Sequence, residues 1–296
     1  MNLEKERTAI ERLKAFEPPD GYYLAYSGGK DSDAILILAK LAGVKFDAVH
    51  NLTTADAPET IYYIKSHPEV QIEKAFDKNG NHITMWNLIE KKMIPPTRVA
   101  RYCCEKLKER GGKGRVVMTG VRWSESPRRK ENANVIQIIG APKATIKTAE
   151  EIGAPYRQSR QGGITLNDDN VETRRLVEHC YRTTKTMVNP IVDWSTDDVW
   201  DFLNHYGCKS NPLYQCGFNR IGCIGCPMIG KHRYWEFRKY PKYKRIYIAT
   251  FDRMLQHRKE KGKNNTSWQN GVDVFRWWMG EDFLQTTLFD NFGDDI

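Results

Sequence analysis

Apolar and polar positions divide the first half of the chain into alternating strands and helices. An apolar, aromatic run at residues 22–26 predicts a buried strand, and the Ile-, Leu- and Ala-rich run that follows Ser32 predicts a packed helix. Further strands are predicted at residues 44–52, 70–76 and 115–119, with a short helix at residues 58–66 that a proline opens. Such alternation predicts an α/β fold with a doubly wound, mainly parallel sheet.

The second half of the chain has a different pattern. Residues 153–170 are rich in Gly, Asn and Asp without a helical or strand period, which predicts a long loop. Ser195 is a candidate cap for a helix at residues 196–205 that ends at Gly207. From residue 231 the composition becomes aromatic and basic, so we expect two domains, residues 1–230 and a helical, basic C-terminal extension at residues 231–296.

The turn between the first strand and the first helix is suited to hold phosphate. We call it the phosphate loop; it consists of Ser27, Gly28, Gly29, Lys30, Asp31 and Ser32. Two glycines let the backbone approach an anion, the helix N-terminus faces it with free N–H groups, and the serines and the lysine add donors and charge. The spacing is not that of a Walker A loop. Asp31 has two alternative roles, a helix cap or a contact to Mg²⁺ or the nucleotide.

Composition and charge narrow the setting. The chain has 296 residues, 40% of them hydrophobic, so it can bury a sizeable core. No apolar run approaches the about 20 residues that span a bilayer, and the charged N-terminus lacks the apolar core of a signal peptide. We therefore expect a cytoplasmic protein without a membrane partner. The formal net charge of +9 suits an anionic partner, either a nucleotide or a nucleic acid.

Four of the seven cysteines form a spaced constellation. Cys103 and Cys104 are adjacent, Cys223 and Cys226 form a Cys-x-x-Cys pair, and Cys216 lies seven residues before Cys223. Four thiolates can hold zinc or an iron–sulfur cluster, and a redox dithiol without metal is the third alternative. Because adjacent cysteines are geometrically awkward for one cluster, Cys216 is kept as a substitute ligand.

These motifs together resemble the phosphoadenosine phosphosulfate (PAPS) reductase family of the PP-loop superfamily, and in particular members often carried by phages. The phosphate loop looks like the family's PP-loop, and Cys103-Cys104 with Cys223-x-x-Cys226 looks like the cysteine signature of adenylylsulfate reductases. Ala57-Pro58-Glu59-Thr60, the segment from Thr119 to Arg129, and Asn189-Pro190 with Trp194 resemble three further family segments in the same order. The resemblance covers about residues 20–230.

The resemblance implies a set of site residues and cofactors. It implies an adenine nucleotide, ATP first, on the phosphate loop and on Glu59, Thr60, Gly120, Arg122, Ser126, Arg128 and Arg129. It implies a [4Fe-4S] cluster on the four cysteines, with zinc as the alternative, and Mg²⁺ is a further candidate. The candidate catalytic residues are Lys30, Asp31, Arg122 and Cys216. Without the resemblance, arginines at the carboxyl end of a buried strand still suit phosphate or sulfate oxygens, and the alternative is a solvated basic turn. Glu59 is then explained as a charge favoured by its helix dipole.

One departure from the family affects the expected reaction. Its sulfonucleotide reductases use a cysteine in a C-terminal tail, whereas no cysteine follows Cys226 here. We therefore expect ATP-dependent sulfur transfer to an acceptor, with a sulfur donor or reductant protein as a partner. The alternatives are a sulfonucleotide reductase with Cys216 as nucleophile and a nucleotide-binding accessory protein without turnover.

The C-terminal extension bears on the acceptor. Residues from Pro241 onward predict an amphipathic helix with one aromatic face and one face that carries Lys242, Arg245, Arg253, Arg258 and Lys259. Such a face is either solvated or in contact with nucleic acid. RNA or DNA is therefore the first acceptor class that the sequence predicts.

Overall fold

The computed structural model describes residues 2–141, 143–159, 163–166, 170–263 and 266–281. The chain forms two compact units that each gather separate stretches of sequence. We call Met1–Asn51, Pro58–Glu73 and Arg110–Ile221 the sheet unit, and Leu52–Ala57, Lys74–Glu109 and Gly222–Ile296 the helical unit. The predicted division between residues 230 and 231 stays a prediction. The end of the predicted C-terminal extension, residues 282–296, lies outside the described residues.

A mixed sheet is the centre of the sheet unit. Within the described residues it has eight strands in the order β3-β2-β1-β6-β10-β7-β9-β8. The five parallel strands are β1 (Tyr22–Ala25), β2 (Phe46–Asn51), β3 (Val70–Glu73), β6 (Val117–Met118) and β10 (Lys185–Val188). In register, Leu24 of β1 lies opposite Ala48 of β2 on one side and Met118 of β6 on the other. The predicted α/β fold with a mainly parallel sheet is confirmed.

The other three strands extend the sheet in the antiparallel direction. They are β7 (Ile136–Ile139), β8 (Arg157–Gln158) and β9 (Ile164–Leu166), and β7 pairs with β10. The prediction of a structureless loop over residues 153–170 is therefore wrong at β8 and β9, while residues 160–162 and 167–169 lie outside the described residues. Strands of two and three residues are too short to show a period, and pairing with β7 decides their conformation.

Helices accompany the sheet and bury their apolar residues in its core. In the sheet unit they are α1 (Leu3–Ala15), α2 (Lys30–Ala42), α3 (Pro58–Lys65), α5 (Pro127–Asn132), α6 (Lys143–Glu151), α7 (Val171–Cys180) and α8 (Thr196–His205). Helix α8 has the predicted bounds, and the Ser195 hydroxyl caps it by accepting a hydrogen bond from the Asp198 amide at 3.0 Å. The predicted strand at residues 70–76 is divided, because its last two residues pair in the helical unit.

The helical unit has an aromatic core. Its elements are the hairpin β4 (Ala75–Phe76) and β5 (His82–Ile83), followed by α4 (Met85–Lys92), α9 (His232–Lys239), α10 (Pro241–Glu260) and α11 (Gly271–Met279). Tyr247 of α10 packs against Phe237 of α9 and Trp278 of α11. No described helix is both long and apolar enough to cross a membrane.

A buried carboxyl lies in α2, one residue beyond the phosphate loop. Asp33 is 2% exposed, and the Tyr26 hydroxyl donates a hydrogen bond to its Oδ1 at 2.6 Å. Burial raises the pKa of Asp33 from its ordinary value of 3.8 to about 6, although the hydrogen bond from Tyr26 opposes this. The native state therefore holds a proton on this group over a pH range in which the unfolded chain has lost it.

This difference predicts a pH dependence of stability. Because the native pKa lies above the unfolded one, the free energy of unfolding should fall as pH rises from about 3.8 to about 6, by about 3 kcal/mol in total. In urea denaturation, Asp33→Asn should remove this decrease. Glu178→Gln, which changes an exposed carboxylate on α7, should keep it. A parent protein and an Asp33→Asn variant with the same pH profile would contradict the assignment.

Candidate functional site

The phosphate loop lies where β1 ends and α2 begins, at the carboxyl edge of the parallel strands. Gly28 has a φ of +71°, a conformation that side chains disfavour. A Cβ atom there would lie 3.0 Å from Ile64 Cγ1 and 3.1 Å from Thr60 Cγ2, both on α3. The first glycine of the loop is therefore required by backbone conformation and by the close approach of α3.

The two serines of the loop hold its turn. The Ser32 hydroxyl accepts a hydrogen bond from the Gly29 amide at 3.1 Å and donates one to the Gly29 carbonyl at 2.7 Å. Ser27 Oγ lies 3.3 Å from Ser32 Oγ and donates to it. Gly29, which has no side chain, is the N-cap of α2. Asp31 is therefore not the capping residue. The serines fix the loop conformation that presents the helix N-terminus to a ligand.

Asp31 joins two cations at the start of α2. Its Oδ2 accepts a hydrogen bond from Lys30 Nζ at 2.9 Å, and its Oδ1 accepts one from Arg122 Nε at 2.7 Å. Arg122 is 2% exposed, and its Nη1 also donates to Ser124 Oγ at 2.7 Å and to the Trp194 carbonyl at 3.2 Å. Two cations thus share one carboxylate, which leaves one net positive charge beside the helix N-terminus. This arrangement attracts an anion.

Gly120 makes this ion cluster sterically possible. A Cβ atom at Gly120 would lie 2.9 Å from both the Cβ and the carbonyl oxygen of Asp31. The chain after β6 therefore passes directly against the first turn of α2. Two residues later, Arg122 forms its ion pair with Asp31. The structure brings Gly120 and Arg122 together with the loop, as the sequence predicts for residues at the end of a buried strand.

A segment that sequence analysis did not identify closes the loop. The Tyr214 hydroxyl accepts a hydrogen bond from the Lys30 amide at 2.9 Å, at the first turn of α2. Asn211, 1% exposed, donates from Nδ2 to the Gly28 carbonyl at 3.0 Å and to Thr60 Oγ1 at 3.2 Å. Both belong to a short stretch that caps and forms the 3₁₀ helix Pro212–Cys216. An Asn-Pro pair signals a turn in sequence, but nothing in it indicates contact with residues about 180 positions away.

The other predicted nucleotide residues have local roles that the structure defines. Thr60 is buried and accepts from Asn211, whereas Glu59 is half-buried in the first turn of α3. Ser126 caps α5 by accepting from the Arg129 amide at 3.2 Å. Arg129 pairs with Glu125 at 2.7 Å, and Arg128 is exposed on the same helix. Among the described residues, no hydrogen bond or ion pair joins Ser126, Arg128 or Arg129 to the phosphate loop.

The four predicted metal-binding cysteines all belong to the helical unit. Cys103 and Cys104 lie at the start of a π-helical turn, Cys104–Lys108. Cys223 and Cys226 form a tight turn in which the Cys226 amide donates to the Cys223 carbonyl at 3.2 Å. Gly225 permits this turn with a φ of +77°, and a Cβ atom there would lie 2.5 Å from the Phe237 ring. Cys216 is exposed in the sheet unit, at the end of the 3₁₀ helix that carries Tyr214.

Electrostatics link these thiols to one another. A hydrogen bond shared by Cys103 and Cys104 raises the pKa of Cys103 well above its usual range and lowers that of Cys104 to about 5. Arg101 Nη2 lies 3.4 Å from Cys104 Sγ and contributes to the lowering. Negative charge on Cys223 or Cys226 also raises the pKa of Cys103. Burial, with the Asp56 charge, raises the pKa of Cys223 to about 12.

The four cysteines match a metal site in their chemistry but not in their arrangement. All seven cysteines lie in the described part of the chain and are free thiols. Four thiols are the donor set that zinc and iron–sulfur clusters use. Among the described residues, however, no three His, Cys, Asp or Glu side chains are gathered in the geometry of a metal site. The donor set fits a metal centre, and its assembly stays a prediction.

Comparison with known proteins shows which domain family the chain resembles. The phosphoadenosine phosphosulfate reductase domain model matches residues 21–229. An uncharacterized protein of Methanocaldococcus jannaschii is 26% identical over 248 residues, 76% of this chain and 49% of that protein, so this chain spans about half of that relative. The adenosine 5'-phosphosulfate reductase of Streptomyces coelicolor is 33% identical over 84 residues, 27% of this chain and 34% of that enzyme. The phosphoadenylyl-sulfate reductase structure from Candida auris aligns at 14% identity and a TM-score of 0.46, over 74% of this chain and 89% of that one.

The Tyr214 contact predicts a measurable contribution to stability. Tyr214→Phe removes the acceptor of the buried Lys30 amide, so the free energy of unfolding should fall by about 1–2 kcal/mol. The measurement is urea denaturation of the ligand-free protein. Tyr156→Phe is the matched control, because it removes an exposed hydroxyl that donates to Glu150 and should change stability by less than about 0.5 kcal/mol. Equal effects of the two substitutions would show that Tyr214 does not hold the loop.

Proposed function

The chain belongs to the phosphoadenosine phosphosulfate reductase domain family, and from that premise we propose that it binds an adenine nucleotide at the phosphate loop and uses it for sulfur chemistry. The observation that carries this proposal is the join between β1 and α2. There the glycine backbone, the helix N-terminus and the Lys30–Asp31–Arg122 cluster combine close approach, oriented N–H groups and positive charge. These are the requirements for holding a phosphate chain.

The reaction that we propose first is ATP-dependent sulfur transfer. An acceptor oxygen attacks the α-phosphorus of ATP, the bond to the β-phosphate oxygen breaks, and pyrophosphate leaves. Hydrosulfide then attacks the activated carbon or phosphorus of the acceptor, AMP leaves with its electron pair, and no external reductant is needed. Lys30 and Arg122 are the groups that stabilise the negative charge of the leaving pyrophosphate, and Asp31 positions both.

The second candidate is reduction of a sulfonucleotide, and the similarity to curated adenosine 5'-phosphosulfate reductases favours it. In this reaction a thiolate attacks the substrate sulfur, AMP leaves, and two electrons from a reduced dithiol release sulfite. Cys216 is the exposed thiol on the segment that contacts the phosphate loop. Among the described residues its thiol has no hydrogen-bond partner, whereas nucleophilic thiols need an activating cation or base. This observation supports transfer as the first choice.

We further propose that Cys103, Cys104, Cys223 and Cys226 hold a metal centre, a [4Fe-4S] cluster first and zinc second. The support is the donor chemistry of four free thiols within one unit and the tight turn at Gly225. When bound, a cluster supplies electron-transfer or sulfur-binding chemistry. The residues themselves provide thiolates, and Arg101 donates to the Cys104 sulfur. Mg²⁺ at Asp31 stays a prediction.

The nucleotide proposal is tested with a matched pair of glycine variants. Gly28→Val places a side chain against Thr60 and Ile64, so ATP affinity by calorimetry should fall by at least about 30-fold. Release of AMP and pyrophosphate in the presence of sulfide and of RNA or DNA as acceptor should also be lost. Gly43→Val is the control, because Gly43 ends the same helix with a φ of +68° and open space around it. It should bind ATP like the parent.

Three outcomes would change the proposal. Equal ATP affinity of Gly28→Val and the parent would remove the phosphate loop as the site. Sulfite release from adenylylsulfate at about 1 per second or faster, abolished by Cys216→Ser, would make the protein a reductase. ATP binding without any AMP, pyrophosphate or sulfite would make it an accessory nucleotide-binding protein.

The metal proposal predicts bound iron and acid-labile sulfide in protein purified without oxygen. Cys104→Ser and Cys223→Ser should each lose most of both, measured by elemental analysis and by the visible absorption of the cluster. Cys216→Ser should keep them. If Cys216→Ser loses iron and sulfide and Cys104→Ser keeps them, Cys216 is a ligand in place of Cys104. Parent protein that contains neither iron nor zinc would overturn the proposed metal centre.

A further inference from the structure

An exposed cationic surface lies where α9 ends and α10 begins. Its members are Arg238, Lys239, Lys242, Lys244 and Arg245, all of which are exposed; we call them the cationic surface. No acidic residue occurs in the sequence from residue 237 to residue 251. Positive charge is therefore concentrated in a short stretch of the helical unit, which Glu236 and Asp252 bound in sequence.

These charges are placed against the preference of the helix that carries them. The N-terminal end of a helix is the positive end of its dipole, so acids there stabilise it and cations destabilise it. Helices α1, α2 and α8 follow the rule, with two acidic residues each in their first turns. Helix α10 has no acid in its first turn and carries Lys242, Lys244 and Arg245 in its first two turns. Helices α4, α5, α6 and α9 also have no acid in their first turn, so the cations of α10 are marked by their number and exposure and not by the dipole alone.

The cations farther along α10 have a different role. Arg253 pairs with Glu90, and Arg258 Nη1 donates to the Met93 carbonyl at 2.7 Å, so both hold α10 to the region of α4. Arg253 nevertheless remains exposed and Arg258 is half-buried, so the predicted basic face keeps both residues while they contact the region of α4. Lys242 and Arg245, at the N-terminal part of this face, are exposed and adjoin the cations at the end of α9.

Aromatic rings lie among the cations of this surface. Lys239 Nζ is 5.8 Å from the centre of the Trp235 ring and 6.0 Å from that of Tyr240. Trp235 and Tyr240 are half-buried, so each keeps an exposed part. Alternating cations and flat rings are what a single nucleic-acid strand contacts, with phosphates on the cations and bases stacked on the rings. A lipid surface would instead need an apolar face, and the apolar face of α10, with Tyr247 and Phe251, is buried.

We propose that the cationic surface binds the backbone of a single-stranded nucleic acid. Binding of the strand does not require the nucleotide site. The role of the strand as the acceptor of sulfur does rest on the proposed function. With five cations in contact, the logarithm of the affinity should fall with the logarithm of salt concentration with a slope of about −3.5.

The test is fluorescence anisotropy with labelled DNA and RNA strands of about 30 nucleotides, in the absence of ATP. The double variant Lys242→Gln, Arg245→Gln should bind at least about 10-fold more weakly at low salt, with a slope less steep by about 1.4. The matched control is Arg7→Gln, Lys147→Gln, which removes the same formal charge from two exposed positions of the sheet unit and should bind like the parent.

Two results would overturn the proposal. One is an equal loss of strand binding in both double variants, which would show that binding depends on the net charge of the protein and not on the cationic surface. The other is binding to phosphatidylserine-containing vesicles but not to either strand. Gly28→Val should bind strands like the parent, so a failed nucleotide site and a failed cationic surface give different results.

Discussion

The buried contact between Arg122 and Asp31 is the constraint on which the arrangement of the sheet unit's site depends. A guanidinium that is 2% exposed is stable only when it is paired and its donors are satisfied. Its partners are Asp31 at the start of α2, the Ser124 hydroxyl and the Trp194 carbonyl after β10. One side chain therefore ties together segments that follow three neighbouring strands, and it does so at the edge where doubly wound sheets bind ligands.

The phosphate loop is also held in one conformation by contacts within the protein. Ser32 and Ser27 fix the turn, Asn211 holds the Gly28 carbonyl, and Tyr214 accepts from the first amide of α2. Preorganised donors need little rearrangement when they meet charge, which is the basis of electrostatic stabilisation in enzymes. The net positive charge of the Lys30–Asp31–Arg122 cluster adds to the helix dipole at the same place.

The helical unit has an aromatic core and a helix, α10, whose charged residues make different contacts at its two ends. The aromatic residues of α9, α10 and α11 form its core, and Gly225 lets the Cys223–Cys226 turn approach the Phe237 ring closely. The C-terminal cations of α10 hold the helix to α4 and to the residues after it, whereas its N-terminal cations oppose the helix dipole. The cations at the two ends of α10 therefore differ in their contacts: Arg253 and Arg258 have partners near α4, and Lys242, Lys244 and Arg245 are exposed.

The sequence by itself determined the local features: the strand-turn-helix at the phosphate loop, the α8 cap, the alternation that gives a parallel sheet, and the four-cysteine pattern. Each is encoded by neighbouring residues through backbone conformation, side-chain period or spacing. Only long-range contacts set the antiparallel strands β8 and β9, the pairing of Arg122 with Asp31, the closure of the loop by Asn211 and Tyr214, and the contacts of Arg253 and Arg258 near α4. These depend on contacts between residues far apart in the chain, and a residue's type and its sequence neighbours do not specify its distant partner.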